Sequence, residues 1–304
     1  MKVLVTGGAG FIGSHIVDKL VKQDWQVVVL DNLSSGRREH VPQAAKLIVM
    51  DVASDDLTEV FKTEQFDYVI HLAAQTSVPA SLTDPENDGR INIIGTIKVL
   101  EAARVSGVKR IIFASTAAVY GSEAKVPIIE TDVVRPASFY GLSKLTVEQY
   151  LRVYKDLFGL EYVVLRFANV YGERQGDTGE GGVISIFARR ILAGQSVNIF
   201  GDGNQTRDFI YVGDVANANI RALTAPCSGV TANISTNTEI SVNKLTEVMG
   251  KIAKCQVEKT YLAARNGDIY RSSLDNSTAI KALGWQPETD LDAGLVKTLA
   301  ALKM

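Results

Sequence analysis

Lys2-Val3-Leu4-Val5-Thr6-Gly7-Gly8-Ala9-Gly10-Phe11-Ile12-Gly13 decides the fold of this chain. A short apolar strand pattern runs directly into a glycine-rich turn. Residues Phe11 to Lys22 then place Ile12, Ile16, Val17, Leu20 and Val21 on one face at helical spacing. In a strand–turn–helix unit, Gly7 permits the tight turn, Gly10 lets backbone approach a pyrophosphate, and Gly13 lets the helix close on the strand. The free N–H groups of the helix N-terminus then face phosphate oxygens. A glycine triplet alone says little; the strand before it, the helix after it and an acid ending the next strand give it meaning.

That next strand is Gln26 to Asp31. A carboxylate at its end accepts hydrogen bonds from both hydroxyls of an adenosine ribose and repels a 2′-phosphate, so Asp31 favours NAD over NADP. Arg37 and Arg38 stand near enough in sequence to serve a 2′-phosphate and keep NADP open. Further strands are expected at Lys46 to Asp51, Tyr68 to Ala73, Arg110 to Thr116 and Glu161 to Val170. Long helices are expected at about 85–106, with Ile91, Ile94, Ile97 and Leu100 in register, and at 139–158. Alternation of this kind predicts right-handed βαβ units, hence a Rossmann-type, doubly wound α/β fold with a parallel sheet covered on both faces. Asp51, ending the third strand, is placed either to reach an adenine amino group or to cap a turn.

After Tyr171 the pattern changes. A polar, glycine-rich segment over 176–182 precedes shorter elements: a helix at Ile184 to Leu192, a strand at Arg207 to Val212, and helices near Val215, Val242, Thr278 and Leu291. The expected organisation is a nucleotide-binding domain over 1–171, with returning segments near 207–235, and a smaller discontinuous α/β domain over 172–304.

Bulk properties narrow the partners. The 304 residues are 46% hydrophobic, enough for a large core, and 32 basic residues face 34 acidic ones. That balance gives no basic surface for nucleic acid or lipid. Two cysteines, Cys227 and Cys255, form neither a disulfide framework nor a Cys-x-x-Cys pair. No apolar run reaches the ~18 residues of a membrane helix, and the first strand begins at once, so a cytoplasmic protein without membrane contact is expected. His15, His40 and His71 show no metal-ligand spacing, so no metal is expected; His71 is expected to be packed or capping.

The candidate chemistry lies in two segments. Tyr140 and Lys144 stand four apart at the start of the second long helix and share a face. A free phenol, with a pKa of about 10, is a poor base at neutral pH; a neighbouring ammonium and an oxidised nicotinamide ring both favour its phenolate. Thr116 leaves the carboxyl end of the fifth strand, where open α/β sheets bind ligands, and is able to hydrogen-bond a reacting hydroxyl. Ser115 and Thr116, taken alone, are equally ordinary strand-end hydroxyls.

Together these residues resemble the extended short-chain dehydrogenase/reductase family and, within it, the UDP-glucose (UDP-galactose) 4-epimerases. The resemblance rests on Thr6 to Gly13, Asp31-Asn32-Leu33-Ser34-Ser35-Gly36, His71-Leu72-Ala73-Ala74-Gln75, Asn92 with Gly95-Thr96, Thr116 to Gly121 and Tyr140 to Lys144. It continues through Arg166 to Gly172, Phe200-Gly201-Asp202-Gly203, Arg207-Asp208-Phe209 and Arg265-Asn266-Gly267-Asp268, in order along nearly the whole chain. It implies Tyr140 as acid/base, Lys144 as the tuner of Tyr140 and holder of the nicotinamide ribose, and Thr116 as the partner of the sugar 4-hydroxyl. It implies an NAD site from Gly7, Gly10, Phe11, Ile12, Gly13, Asp31, Asn32, Ser34 and Gly36. Asp51, Val52, Leu72, Ala73, Ala74, Asn92 and Ser115 are implied to complete it. For a UDP-sugar it implies Asn169, Gly182, Val183, Arg207, Arg265, Asp268 and Ser272 beside Thr116 and Tyr140, and it implies a homodimer through the two long helices, whose apolar stripes would otherwise cover the sheet.

Related dehydratases and decarboxylases carry an acid after the threonine; here Ala117 and Ala118 cannot transfer a proton, which favours 4-epimerisation. Gly182 stands where some epimerases have an asparagine, and Asn266 departs from the usual residue. Ser272 stands where some glucose-restricted members have a tyrosine, so an N-acetylated UDP-hexose is expected to fit as well. Two other readings share the fold. One is another sugar-nucleotide oxidoreductase, such as a UDP-glucuronate 4-epimerase. The other is a non-enzymatic NAD sensor, which has little need for Tyr140, Lys144 and Thr116 together.

Overall fold

The computed structural model describes residues 1–122, 124–176, 182–264 and 269–303. β1 (Lys2–Thr6), α1 (Phe11–Lys22) and β2 (Gln26–Asp31) form where the hydrophobic pattern puts them. β3 (Lys46–Val49) stops short of Asp51, where the chain turns out to line a cleft. An unforeseen α2 (Thr58–Glu64) follows, anchored by the buried Phe61 alone. β4 (Tyr68–His71) likewise stops short of Ala73.

The first long helix is interrupted. α3 (Val78–Thr83) and α4 (Pro85–Gly89) lead into a π turn at Arg90–Ile94 before α5 (Gly95–Val105). π turns of this kind gather at functional sites, and this one contains Asn92. β5 (Arg110–Thr116) and α6 (Phe139–Phe158) match expectation. The predicted strand Glu161 to Val170 is two strands, β6 (Glu161–Phe167) and β7 (Asn169–Tyr171). Between them Ala168 N bonds to Ile234 O while Asn169 N bonds to Asp208 O, so the chain changes partners at that point.

Then come α7 (Val183–Leu192), β8 (Val197–Phe200), β9 (Thr206–Arg207), β10 (Phe209–Tyr211), α8 (Val212–Thr224) and β11 (Val230–Ile234). The chain finishes with β12 (Ile240–Ser241), α9 (Val242–Ala253), β13 (Lys259–Leu262), α10 (Ser277–Leu283) and α11 (Leu291–Ala301). The predicted strand Arg207 to Val212 is split at Asp208. Its buried carboxyl accepts from Thr236 N and Oγ1, at 2.9 and 2.7 Å, and burial pushes its pKa up.

Seven parallel strands stand in the order β3-β2-β1-β4-β5-β6-β11. Side chains alternate across the sheet: Val3, Val5, Val27 and Val29 enter the core under α1 and α8, whereas Leu4, Val28 and Leu30 enter the core under α2, α5 and α6. Strand order reverses between β1 and β4, which opens a crevice at their carboxyl ends. β11 completes the sheet beside β6, and α8 packs on α1. Three two-stranded pairings, β7 with β10, β8 with β13 and β9 with β12, carry the remaining chain around a third core that includes Tyr171, Phe187, Ile199, Leu245 and Leu295.

Candidate active site

A cavity of about 720 Å³ occupies that crevice. Its floor is the glycine turn. Gly7 holds a positive φ of 70°. A Cβ on Gly13 would lie 2.2 Å from Gly7 O, so only glycine lets α1 close on β1. Gly10 is the N-cap of α1 and has no side chain to satisfy the first-turn N–H groups, which leaves a ready anion site. Gly7, Gly10, Phe11, Ile12 and Gly13 all line the cavity.

Asp31 stands at the far end of β2, 6% exposed. Its Oδ2 accepts from Ala9 N at 3.0 Å and its Oδ1 from Leu33 N at 2.8 Å. Those bonds aim the carboxylate and leave lone pairs for a ribose diol. Asn32, Ser34, Asp51, Val52, Leu72, Ala73 and Ala74 extend the same wall. Burial pushes the Asp51 carboxyl up, but bonds from Ala53 N at 2.8 Å and Asn32 Nδ2 at 3.2 Å outweigh it and hold it low. Arg37 turns away and pairs with Glu39 at 3.7 Å.

Two expected cofactor contacts do not line this cavity. Gly36 packs behind Asp31, where a Cβ would lie 2.9 Å from Oδ1; it shapes the carboxylate's seat instead. Asn92 is buried in the π turn, where its Oδ1 accepts from Gln75 N at 2.8 Å and its Nδ2 donates to Ser143 Oγ at 3.0 Å. Its amide is consumed in bracing the wall.

Ser138 Oγ caps α6 by accepting from Gly141 N at 3.1 Å, which puts Tyr140 in the first turn. A Cβ on Gly141 would lie 2.6 Å from Ala118 O, so this glycine brings that turn against the end of β5. Tyr140, Lys144, Ser115 and Thr116 thereby share the cavity wall. The two hydroxyls differ in their protons. Ser115 Oγ donates to Glu148 Oε1 at 2.5 Å, whereas Thr116 Oγ1 accepts from Ala118 N at 3.1 Å and keeps its O–H for a ligand among the described residues. Lys144 Nζ donates to Ala114 O at 2.9 Å and retains two further donors. Burial pulls its pKa down to about 8, with Asp88 working against that pull.

Behind Lys144, His71 is packed, as expected, between two threonines. Thr96 Oγ1 donates to Asn92 O at 2.6 Å, so it must accept from His71 Nε2 at 2.9 Å. Nδ1 then accepts from Thr6 Oγ1 at 2.7 Å. The imidazole is therefore neutral, and burial pushes its pKa to about 3.

The opposite rim comes from Asn169, Val170, Gln175 and Gly182. Gln175 is 7% exposed; its Nε2 donates to Val170 O at 3.1 Å, and its Oε1 has no partner among the described residues. Nothing in the pattern of residues singles out Gln175 or the wall segment Thr76–Val78; both arise from loop closure. Of the expected substrate residues, Val183, Arg207 and Ser272 do not line the cavity. Val183 begins α7 one residue past Gly182, Arg207 Nη1 donates to Thr206 O at 2.8 Å, and Ser272 is 6% exposed. Arg265 and Asp268 lie outside the described residues.

The profile of the NAD dependent epimerase/dehydratase family matches residues 3–235. A putative UDP-glucose 4-epimerase of Methanocaldococcus jannaschii is 46% identical over 302 residues, covering 99% of this chain and 98% of that one. The crystal structure of UDP-glucose 4-epimerase with UDP-glucose from Thermotoga maritima superposes with a TM-score of 0.97 at 42% identity, covering 100% and 99% of the two chains. A UDP-N-acetylglucosamine 4-epimerase from Methanobrevibacter ruminantium, in complex with UDP-N-acetylmuramic acid, gives 0.95 at 36% identity, covering 99% and 98%.

Proposed function

The chain belongs to the NAD dependent epimerase/dehydratase family, and from that membership we propose that it is a UDP-hexose 4-epimerase acting on UDP-glucose and UDP-galactose and on their N-acetylated counterparts. One observation carries the reading: Tyr140, Thr116 and Lys144 converge on a cavity whose floor is a glycine cradle for a dinucleotide, and the two residues directly after Thr116, Ala117 and Ala118, cannot transfer a proton.

The cradle fits NAD. The closed Gly7–Gly13 contact and uncapped α1 N-terminus suit a pyrophosphate, and Asp31 suits an unphosphorylated ribose. When bound, NAD supplies a reversible hydride acceptor for the sugar C4. Tyr140 takes the proton from O4 as oxidation proceeds and returns it after the sugar has turned. Thr116 donates to the same oxygen and orients it. Lys144 holds the nicotinamide ribose and keeps positive charge beside the phenolate. The 4-keto sugar turns about its link to the diphosphate, so the grip must be firm on UDP and loose on the hexose. Arg207, Arg265, Asp268 and the α7 N-terminus after Gly182 supply that grip, with Asn169 at the sugar.

In this reading residues 1–171 and the returning segments near 207–235 hold the cofactor, and 172–304 hold the substrate. No helix of the described residues is long and apolar enough to cross a membrane, and the enzyme works in the cytoplasm. It does so as a homodimer, joined through exposed apolar side chains on the long helices, among them Ile94, Leu142, Val153 and Leu157.

The test is interconversion of four substrates, UDP-glucose, UDP-galactose and their N-acetyl forms, by protein purified with NAD, with products separated and quantified. Failure to epimerise any of them sinks the assignment. Ser272→Tyr, which forces a large ring into a buried site, is expected to depress turnover of the acetylated pair while sparing the plain pair. Equal effects on both pairs remove Ser272 from the specificity argument.

A further inference from the structure

Among the described residues, Lys144 is the only Lys or Arg lining the cavity, and it has no ion-pair partner. Its neutralisation can be traced element by element. On its own helix stand Tyr140 and Glu148, and Glu148 is occupied: Arg166 Nη2 reaches its Oε2 at 2.6 Å and Arg166 Nε its Oε1 at 3.0 Å. From β4 comes His71, neutral between its threonines. β5 offers the Phe113 ring, 4.9 Å from Nζ, and the Ala114 carbonyl. From α4 comes Asp88, 1% exposed.

Asp88 Oδ1 accepts from Gln75 Nε2 at 2.7 Å and from Asn92 Nδ2 at 3.2 Å. Asn92 also donates to Ser143 Oγ, on the residue before Lys144. No cation pairs with Asp88 among the described residues. A buried carboxylate without a counter-ion is unfavourable unless a charge nearby answers it. We propose that Asp88 is the counter-charge of this site, a positioning residue that keeps Lys144 an ammonium and ties the Gln75–Val78 wall to α6. The proposal rests on the roles given above to Tyr140 and Lys144. Its chemical sense is charge balance: a phenolate and one buried carboxylate face an ammonium and an oxidised nicotinamide ring.

Asp88→Asn keeps an acceptor for Gln75 and Asn92 and removes only the charge. In profiles of kcat/KM against pH, the alkaline limb, where Lys144 gives up its proton, is expected to move to lower pH by about half a unit or more, with Asp88→Glu restoring it. Binding gives a second readout. D88N should weaken NAD⁺ at least ~threefold more than NADH, because only the oxidised ring is positively charged. An unmoved limb with equal weakening of both cofactor forms means a purely structural residue and overturns the proposal. If D88N does not fold, Asp88→Ser decides by lysine-selective NMR: Lys144 giving up its proton at a lower pH than in the unaltered protein supports the counter-charge, and an unchanged titration overturns it. Full activity in Tyr140→Phe would instead sink the acid/base reading underneath; an inactive Tyr140→Phe beside an unmoved D88N profile sinks the counter-charge alone.

Discussion

The two rims of the cavity are built on opposite principles. On the cofactor side, Asp31, Asp51, Asn92 and His71 have hydrogen bonds inside the protein, and the strands behind them belong to the seven-stranded sheet. On the facing side, the strand behind Asn169 belongs to a two-stranded pairing, and Gln175 Oε1 has no partner among the described residues. The first rim is shaped before any ligand arrives. The second keeps an acceptor, unpaired among the described residues, that a ligand donor can satisfy. A tightly held coenzyme and a sugar that must turn over call for that asymmetry.

The comparison breaks most visibly at Tyr140, which reaches between the rims. Tyr140→Phe should lower kcat by roughly 10²- to 10⁴-fold with UDP affinity unchanged, as measured by turnover and by UDP titration. Loss of UDP affinity of the same size would mean that the residue builds the site rather than acts in it. Gly13→Ala tests the rigid rim. Its Cβ meets backbone at 2.2 Å, so stability should fall by roughly 1–3 kcal/mol in chemical denaturation, together with NAD affinity. An unchanged NAD titration would show that the cradle is less tightly specified than its packing implies.

His71 sharpens the same side through pH. Its pKa is about 3 when folded against 6.5 in an unfolded chain, so below 6.5 the unfolded state binds the extra proton. Stability is present above that value and falls toward about 3, by up to ~1.4 kcal/mol per pH unit from this group. Denaturation midpoints in His71→Asn should lose that part of the acid slope. The smallest effect belongs to the open rim. Gln175→Met should raise KM about two- to tenfold with kcat nearly intact, the worth of one hydrogen bond. A kcat loss without a KM change would place Gln175 with the rigid machinery and dissolve the contrast.

What the sequence made legible follows the same division. α1 and α6 begin and end where expected because each is marked: α1 by the glycine turn, α6 by the Ser138 cap and by Gly159, which holds a φ of 71°. The pocket wall from Gly7 to Ala74 was readable because strand ends and glycines fix it in one dimension. The short strands β8, β9 and β12 are too brief for a period-two pattern to emerge. The inward turn of Asn92 depends on a π turn that no local propensity announces. Taken alone, Ser115 and Thr116 are alike as neighbouring hydroxyls, and only the family resemblance gave them different roles; Glu148, far along α6, sets them apart physically by accepting the serine's hydrogen bond. Gln175 takes its place in the wall only when Gly182 and Val170 fold around it.

β11 pairs with β6 only after the chain has threaded through α7 and α8. A growing polypeptide therefore emerges from the ribosome with the β6 edge bare until Ile234 has been made, since residues Val230–Ile234 are the strip that seals it. During that interval the nascent chain presents an open row of backbone amides, the kind of surface that recruits other strands. Synthesis of the segment between them sets how long that exposure lasts, and chaperone demand during translation should peak there.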